Sequence, residues 1–438
     1  MFQDPLFEQS ISARIAVSED HSLVKLCKIL DWVALIRIAA NIRASKIKRE
    51  AGSEPHYRQL LGALALIATR NLTYREAEDQ IAHYAPARYL CDLMDSDWTV
   101  DHVTIFDFTT MLGPDGVSRI NEEILLTAEK HGLADPALMM GDTTAQEATI
   151  PYPNEVGLMA RFTNLAQAGI SKLGGKFAHI KGKMKETVKT VKALLRNSHL
   201  FAKGKEAKRK VSKKMYHLVK DIHQDISTLL NTGYQLSSKT GKELTRLSGV
   251  METLLPQIRH FIDTGFVAAG KIIHLQMPEL YSIVRGKAGK KVEFGLKWGI
   301  NRVGGGFVAG FLASGRQNRS DKKFCIEGIK IHQNIFGDAP EVFGFDRGGY
   351  SAANINRARK LGVKHPGIAP LGKAPWPVPE KMAEKIKRER AQVEGSIGSI
   401  KSSKYGFNKP RARSVEAMER CGHRSILGFN LMKLANGI

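Results

Sequence analysis

Residues 138–144 read LMMGDTT, a short apolar run that ends in an acid and two hydroxyl side chains. A run of this length predicts a buried strand, with Asp142 at the strand end. The backbone at such a position is rigid, so a carboxylate there is well placed for chemistry. An exposed strand-end aspartate that only caps a turn is the commoner explanation for any one such residue, and both interpretations are open at this point.

A second stretch, residues 342–350, repeats the pattern: it reads VFGFDRGGY, an apolar strand that ends in Asp346. Between the two acids, residues 291–300 and 307–313 predict a hairpin around the triple glycine at 304–306. The triple glycine lacks the GK[ST] ending of a phosphate loop. Helices are predicted over 320–335 and 351–361. Strands interleaved with helices predict an α/β fold class.

A third acid, Glu394, lies in a helix predicted over residues 380–404. Lys387, Arg390, Glu394 and Lys401 share one face of that helix, because they follow at steps of three, four and seven. The alternative is a surface helix with an Arg390–Glu394 ion pair worth about 0.3–0.5 kcal/mol. Two acids at strand ends and one on a later helix suit two Mg²⁺ ions, which prefer carboxylate oxygens and promote phosphoryl displacement.

The charge balance of the 438 residues indicates a polyanionic partner. Lysine and arginine number 66 against 43 acids, a formal net charge of +23, and such an excess favours nucleic acid or an acidic membrane. No segment reaches the roughly 18 apolar residues that span a bilayer, and the first ten residues lack a signal-peptide pattern. Nucleic acid is therefore the expected partner, and no membrane. The four scattered cysteines form no CxxC pair, which fits a reduced cytosolic compartment.

The charge excess is greatest between Ser171 and Lys220, with 16 lysines or arginines against two acids. We expect this segment to lie along a DNA backbone, because self-repulsion would otherwise disfavour compaction. A solvated helix face is the alternative. The densest group of cations consists of Lys203, Lys205, Lys208, Arg209 and Lys210. An apolar stripe downstream predicts a helix-pair core, and its members are Leu247, Val250, Leu254, Ile258 and Ile262.

Residues from about 20 to 132 predict helices separated by short turns. Residues 73–76 read TYRE, which has the form of a capping box. Thr104 is the expected N-cap of a further helix, and a longer helix from about Val117 should end near Gly132. Such helices suit a helix-turn-helix DNA reader, or equally a helical scaffold or dimerisation domain.

Taken together, the motifs resemble the DDE transposases of bacterial insertion sequences, whose catalytic domain has the ribonuclease H-like fold. Residues 141–144, with Tyr152-Pro153, are similar to their first-aspartate segment, and residues 345–350 to their second. The third motif corresponds to Arg390-x3-Glu394-x6-Lys401. Residues 57–132 resemble the helical N-terminal domain, and residues 421–431 the closing helix. Some relatives carry a tyrosine where this chain has Lys387, so a base-stacking role is not carried over to that position.

The resemblance implies a domain organisation. A ribonuclease H-like mixed-sheet catalytic core would comprise residues 136–160 and 286–438. An all-helical domain over residues 1–135 would bind DNA ends or dimerise. Residues 161–285 form a basic helical insertion that the resemblance does not cover.

The resemblance also implies an activity. Asp142, Asp346 and Glu394 would bind two Mg²⁺ ions, with Mn²⁺ as a substitute, while Arg390 and Lys401 hold DNA phosphates. Hydrolysis at a transposon end would expose a 3′-OH that is then joined to target DNA. The implied partners are double-stranded DNA and a second copy in a homodimer, in the bacterial cytoplasm at the nucleoid. Two alternatives stay open: a catalytically inactive DNA-binding relative, and a ribonuclease H-like nuclease without strand transfer.

Overall fold

The chain forms two compact units in the computed structural model, which describes residues 17–46, 55–173, 178–231, 239–284, 292–372 and 374–437. Unit 1 comprises Met1–Gln146, Lys297–Ala412 and Glu416–Ile438. Unit 2 comprises Glu147–Leu296 and Arg413–Val415. The predicted basic insertion falls inside unit 2, and the three candidate acids fall inside unit 1.

The first part of unit 1 is helical. Its helices are α1 (Ser22–Ile29), α2 (Trp32–Lys46), α3 (Tyr57–Arg70), α4 (Tyr74–His83), α5 (Ala85–Leu90) and α6 (His102–Lys130). The predicted capping box is confirmed: the Glu76 amide donates to the Thr73 hydroxyl, and the Thr73 amide donates to the Glu76 carboxylate at 2.7 Å. Helix α3 is buried along most of its length and lies at the centre of this group.

Helix α6 differs from the prediction in two respects. Its N-cap is Asp101, not Thr104, because the Asp101 carboxylate accepts from the amides of both Val103 and Thr104. The two helices predicted from Thr104 and from about Val117 form one continuous helix that begins at His102 and is kinked at Gly113, which has a φ of 66° and precedes a proline. Proline cannot donate to the helix ladder, so a kink there is expected. Gly132, with a φ of 69°, follows the helix end as predicted.

A mixed sheet of six strands lies within the described residues. The strands are β1 (Asp135–Glu147), β2 (Tyr281–Val284), β3 (Val292–Gly304), β4 (Val308–Leu312), β5 (Val342–Phe345) and β6 (His365–Ile368). Their order is β2-β3-β1-β5-β6, and β4 also pairs with β3. Strand β5 is parallel to both β1 and β6, whereas β2 and β4 are antiparallel to β3. The predicted α/β class is confirmed.

The predicted hairpin is present as β3 and β4. Gly305 and Gly306 turn the chain between them with φ angles of 78° and 87°, which favour glycine. The predicted start at Lys291 lies outside the described residues. Strand β1 is longer than predicted, because it continues past Asp142 to Glu147. Its neighbour β5 stops at Phe345, but its other neighbour is the long strand β3.

Helices cover both faces of this sheet in unit 1. They are α11 (Asp321–Phe336), α12 (Ala352–Lys360) and α13 (Glu380–Lys401). Met139 packs with α11 and α12, whereas Met140 packs with Ile386 and Val393 of α13. Neighbouring residues of a strand point to opposite faces, so the two methionines pack against helices on opposite sides of the sheet. The last helix, α14 (Val415–Asn436), packs Leu427 and Leu431 among the N-terminal helices.

Unit 2 is mainly helical, as predicted for the insertion. Its helices are α7 (Glu155–Ser171), α8 (Ala178–Leu200), α9 (Lys205–Asn231) and α10 (Lys239–Thr264). They share one apolar core, and the stripe predicted between Leu247 and Ile262 is buried in it. Over the part of the chain that the structure describes, no helix has the length and apolar character needed to cross a bilayer.

Candidate active site

Asp142 and Asp346 stand at the same level of two adjacent parallel strands. The register pairs Leu138 with Val342, Met139 with Phe343 and Met140 with Gly344. Asp142 and Asp346 each lie two residues beyond the last of these pairs, and so at the same level of the two strands. Neighbouring strands lie about 4.8 Å apart, and residues in register share a face of the sheet. The two predicted strand acids are therefore neighbours in the fold.

Both aspartates are held by nearby backbone amides. The Asp142 Oδ1 accepts from the Thr143 amide at 2.6 Å. Asp346 follows the last residue of β5 and caps a short 3-10 turn, where its Oδ1 accepts from the Gly348 amide at 3.0 Å. These bonds orient the carboxylates before any ligand arrives.

A fourth acid, Asp321, also belongs to this site and was missed in the sequence. Its Oδ1 accepts from the Thr143 hydroxyl and from the Lys297 ammonium, each at 2.8 Å. A Cβ added to Gly348 would lie 2.6 Å from its other carboxylate oxygen, so the chain after Asp346 passes directly against it. Asp321 is the first residue of α11, where an acid is common because it suits the helix dipole. The sequence therefore offered no signal that separates this role from an ordinary helix start.

The electrostatics of Asp346 reflect this crowding. Burial raises the pKa of its carboxyl above the usual range, and the negative charge of Asp321 raises it further. The Arg390 guanidinium and the amides of Gly348 and Gly349 oppose both effects. The raised pKa of Asp346 thus reflects its burial and the nearby charge of Asp321, which is itself paired with the Lys297 ammonium.

Helix α13 carries Arg390 and Glu394, and it packs closely on β5 and β6. A Cβ on Gly367 would lie 2.2 Å from the Ile386 side chain, and one on Gly344 would lie 2.8 Å from it. Glycines at these positions let the helix approach the strands. Near the helix end, the Lys401 ammonium donates to the Thr144 hydroxyl at 3.4 Å. The helix thereby passes the level at which the two aspartates stand.

Arg390 and Lys401 lie on the helix face predicted to bear Glu394. Each interacts with a residue on or next to one of the two strands that carry the aspartates. Arg390 affects Asp346 after β5, and Lys401 contacts Thr144 on β1. Glu394 lies between them and is exposed. Within the described residues, Arg390 and Glu394 form no ion pair of 4 Å or less, so the simple surface pair is not found.

The structure does not bring all three predicted acids into one metal-binding group. Over the described ranges, no three histidine, cysteine, aspartate or glutamate side chains are placed to hold an ion. The three-carboxylate site remains a prediction, supported by the placement of Asp142 and Asp346. Lys387, where some relatives carry tyrosine, lies with its ammonium 5.4 Å from the centre of the Trp376 ring.

The five predicted cations of unit 2 differ in their surroundings. Lys203, Lys205, Lys208 and Lys210 are exposed. Arg209 is also exposed, but its guanidinium donates to the backbone oxygens of Ile262 and Asp263 at the end of α10. Arg209 therefore joins two helices, whereas the four lysines are available to a polyanion.

Comparison with known proteins bears on the N-terminal part of the chain. No curated protein and no solved structure matches the chain. Residues 11–111 match the family model of the transposase domain DUF772. The matched range covers the helices from α1 to the first part of α6. The chain therefore carries a DUF772 transposase domain, which supports its assignment to the transposases of insertion-sequence type.

Proposed function

We propose that this protein is a DDE transposase, which cuts phosphodiester bonds at transposon ends and joins the freed 3′-OH to target DNA. One observation carries the proposal: Asp142 on β1 and Asp346, directly after the parallel neighbour β5, lie at the same level of the sheet. An arginine of α13 acts on Asp346, and the chain has a transposase domain. Rigid strands hold acids in place better than loops do, and phosphoryl transfer depends on such positioning.

The strand arrangement supports a ribonuclease H-like core. An antiparallel hairpin, β3 and β4, lies on one side of β1, and the parallel strands β5 and β6 lie on the other. In this proposal β1 is the central strand that carries the first acid. The next acid follows the adjacent strand β5, and the third lies on the helix that packs over β5 and β6.

The chemical type of these donors suits divalent magnesium, with manganese as a substitute. Carboxylate oxygens are the ligands that Mg²⁺ prefers, and Asp142, Asp346 and Glu394 would hold two such ions. When bound, the ions supply Lewis acidity that activates the attacking oxygen and stabilises the leaving oxygen.

The remaining side chains of the site would orient the DNA. Arg390 and Lys401 lie on the α13 face that bears Glu394, and each could hold a phosphate beside the reacting one. On the same helix, Gly395 and Gly398 meet no atom within 4 Å of an added Cβ. Their small size leaves room for a DNA backbone next to Glu394.

The proposed partners are double-stranded DNA, as transposon end and as target, and a second copy of the chain. A homodimer would pair two DNA ends. Lys203, Lys205, Lys208 and Lys210 of unit 2 would add contacts with the DNA backbone, whereas Arg209 has a structural role in this proposal. The compartment would be the bacterial cytoplasm, at the nucleoid.

The proposal is tested with Asp346→Asn and Glu394→Gln, assayed on supercoiled donor DNA with Mg²⁺. Each change removes one carboxylate charge, so we expect cleavage to fall at least about a thousandfold while DNA binding stays within about twofold. Glu384→Gln is the matched control, because Glu384 is an exposed acid on the same helix. It should cut at the wild-type rate.

Three results would each contradict the proposal. If the wild type binds DNA but neither cuts nor joins it in Mg²⁺ or Mn²⁺, the chain is an inactive DNA-binding relative. If it cuts but never joins a 3′-OH to target DNA, it is a nuclease without strand transfer. If Asp346→Asn cuts as fast as the wild type, the site assignment is wrong.

A further inference from the structure

Unit 2 exposes four large apolar side chains at the ends of its helices. Leu200 is the last residue of α8 and Phe201 follows it, with 55 % and 72 % of their surface exposed. Phe266 and Val267 follow the end of α10, with 74 % and 62 % exposed. Exposed phenylalanines are costly, because burying such a ring stabilises a protein by about 1.5–3 kcal/mol.

These side chains lie at the same end of the helical unit. Arg209, in the second turn of α9, donates to the backbone oxygens of Ile262 and Asp263 at the end of α10. Phe201 precedes α9 by four residues, and Phe266 follows Asp263 by three. We call this surface the bundle end and define it by Leu200, Phe201, Phe266 and Val267.

The residues around the bundle end are strongly basic. Residues 200–210 contain five cations and one acid, and four of the cations are lysines with exposed side chains. A row of further cations runs along α8 towards Leu200, at steps of four, three and four residues, which keep them on one helix face. All four are exposed, and they pair with no other side chain within the described residues. They are Lys185, Lys189, Lys192 and Arg196.

We propose that the bundle end binds unpaired bases of DNA, with Phe201 and Phe266 stacking on bases and the lysines holding the adjacent backbone. Single-stranded nucleic acid is bound in this way elsewhere, by aromatic rings set among cations, because every base has a face on which a ring can stack. The linear row on α8 provides a track for the strand that leads to these rings. The site does not depend on the proposed chemistry of the three acids.

The charge of this surface favours DNA over two other possible occupants, a second copy of the chain and an acidic membrane. A second copy of the chain carries the same net charge of +23, so a contact through this basic surface would be opposed by repulsion. An acidic membrane would attract the cations, but it requires no linear row leading to two rings. The transposase domain at residues 11–111 also favours DNA.

The test measures binding of the full chain to a fluorescent thymine 30-mer and to a duplex of equal length, in EDTA so that no cleavage occurs. Replacing both phenylalanines by alanine should weaken single-strand binding about tenfold or more. The salt dependence should not change, because no cation is lost. Duplex binding should change less than threefold.

Matched variants separate stacking from simple apolar contact. Phe201→Leu with Phe266→Leu keeps a large apolar side chain at both positions but removes the rings, so it should bind as weakly as the alanine variant. Phe201→Trp with Phe266→Trp should bind as tightly as the wild type. The wild type, but not the leucine variant, should quench 2-aminopurine placed in the oligonucleotide.

Other outcomes overturn the proposal. If the leucine variant binds the single strand as the wild type does, the rings do not stack on bases. If the alanine variant binds DNA normally but sediments as a smaller species, the bundle end is an interface between copies. If it binds DNA normally but no longer binds vesicles rich in phosphatidylserine, the bundle end is a membrane contact.

Discussion

His423 is a titratable side chain that the fold buries without an opposite charge. Its ring lies 7 % exposed on α14, with its centre 4.8 Å from the centre of the Trp298 ring. Burial lowers its pKa from 6.5 to about 4, so the folded protein favours the neutral form. The stability that follows is fully present above pH 6.5, and it is lost as the pH falls from 6.5 to about 4.

We therefore expect His423→Phe to flatten the acid dependence of stability. The fall of the pKa from 6.5 to about 4 corresponds to about 3 kcal/mol, which is the most stability that the protonation of His423 could remove over that pH range. The free energy of unfolding would be measured from pH 4 to 7 for both proteins. His131→Phe, at an exposed position, should leave the pH dependence as it is. A parallel loss of stability at every pH, with the slope retained, would mean that His423 does not titrate as inferred.

At the scale of elements, close helix contacts determine where glycine is required. Gly428 on α14 faces α3, and a Cβ there would lie 1.9 Å from the backbone oxygen of Ala68. That oxygen belongs to a helix and cannot easily move. Gly398 on α13, in contrast, faces open space. Glycine is therefore required for close helix packing at position 428 of α14, but not at position 398 of α13.

The two glycines should respond to alanine with opposite signs. Alanine normally stabilises a helix interior by up to about 1 kcal/mol relative to glycine, so Gly398→Ala should raise the free energy of unfolding. Gly428→Ala should lower it by about 1–3 kcal/mol, because the helices must separate. Urea unfolding of both variants would measure this. A stabilised Gly428→Ala would show that α14 does not approach α3 so closely.

For the whole molecule, the charge of unit 2 should determine how DNA affinity depends on salt. Each lysine that touches a phosphate contributes about 0.9 to the slope of log affinity against log salt. Replacing Lys203, Lys205, Lys208 and Lys210 by glutamine should make the slope shallower by that amount for each contact, similarly on all duplex sequences. Arg209 is left in place because it joins α9 to α10.

Binding measured at three salt concentrations checks this expectation. Lys239→Gln with Lys242→Gln is the control, since these exposed lysines lie at the start of α10, away from the bundle end. An unchanged slope in the four-lysine variant would mean that the basic run is a solvated face. Loss of self-association with an unchanged slope would mean that it docks on another copy.

The sequence by itself determined the local features of this protein. Apolar runs that end in acids predicted β1 and β5, and the glycine turn predicted the β3–β4 hairpin. Helical spacing placed Arg390, Glu394 and Lys401 on one face. These features depend on neighbours within a few residues, so periodicity and turn chemistry are enough to find them. The transposase resemblance rested on the same short motifs.

The tertiary structure alone decided which distant residues meet. The register of β1 and β5 brings Asp142 level with Asp346, and the start of α11 adds Asp321 through Thr143 and Lys297. Nothing near Asp321 in the sequence could show this, because an acid at a helix start is stabilised by the helix itself. The length of β1 beyond Asp142 likewise depended on its second neighbouring strand, β3. The role of Arg209 depended on the end of α10, to which its guanidinium donates. Strand pairing and helix packing bring together residues that are far apart along the chain, and no local sequence pattern determines which of them meet.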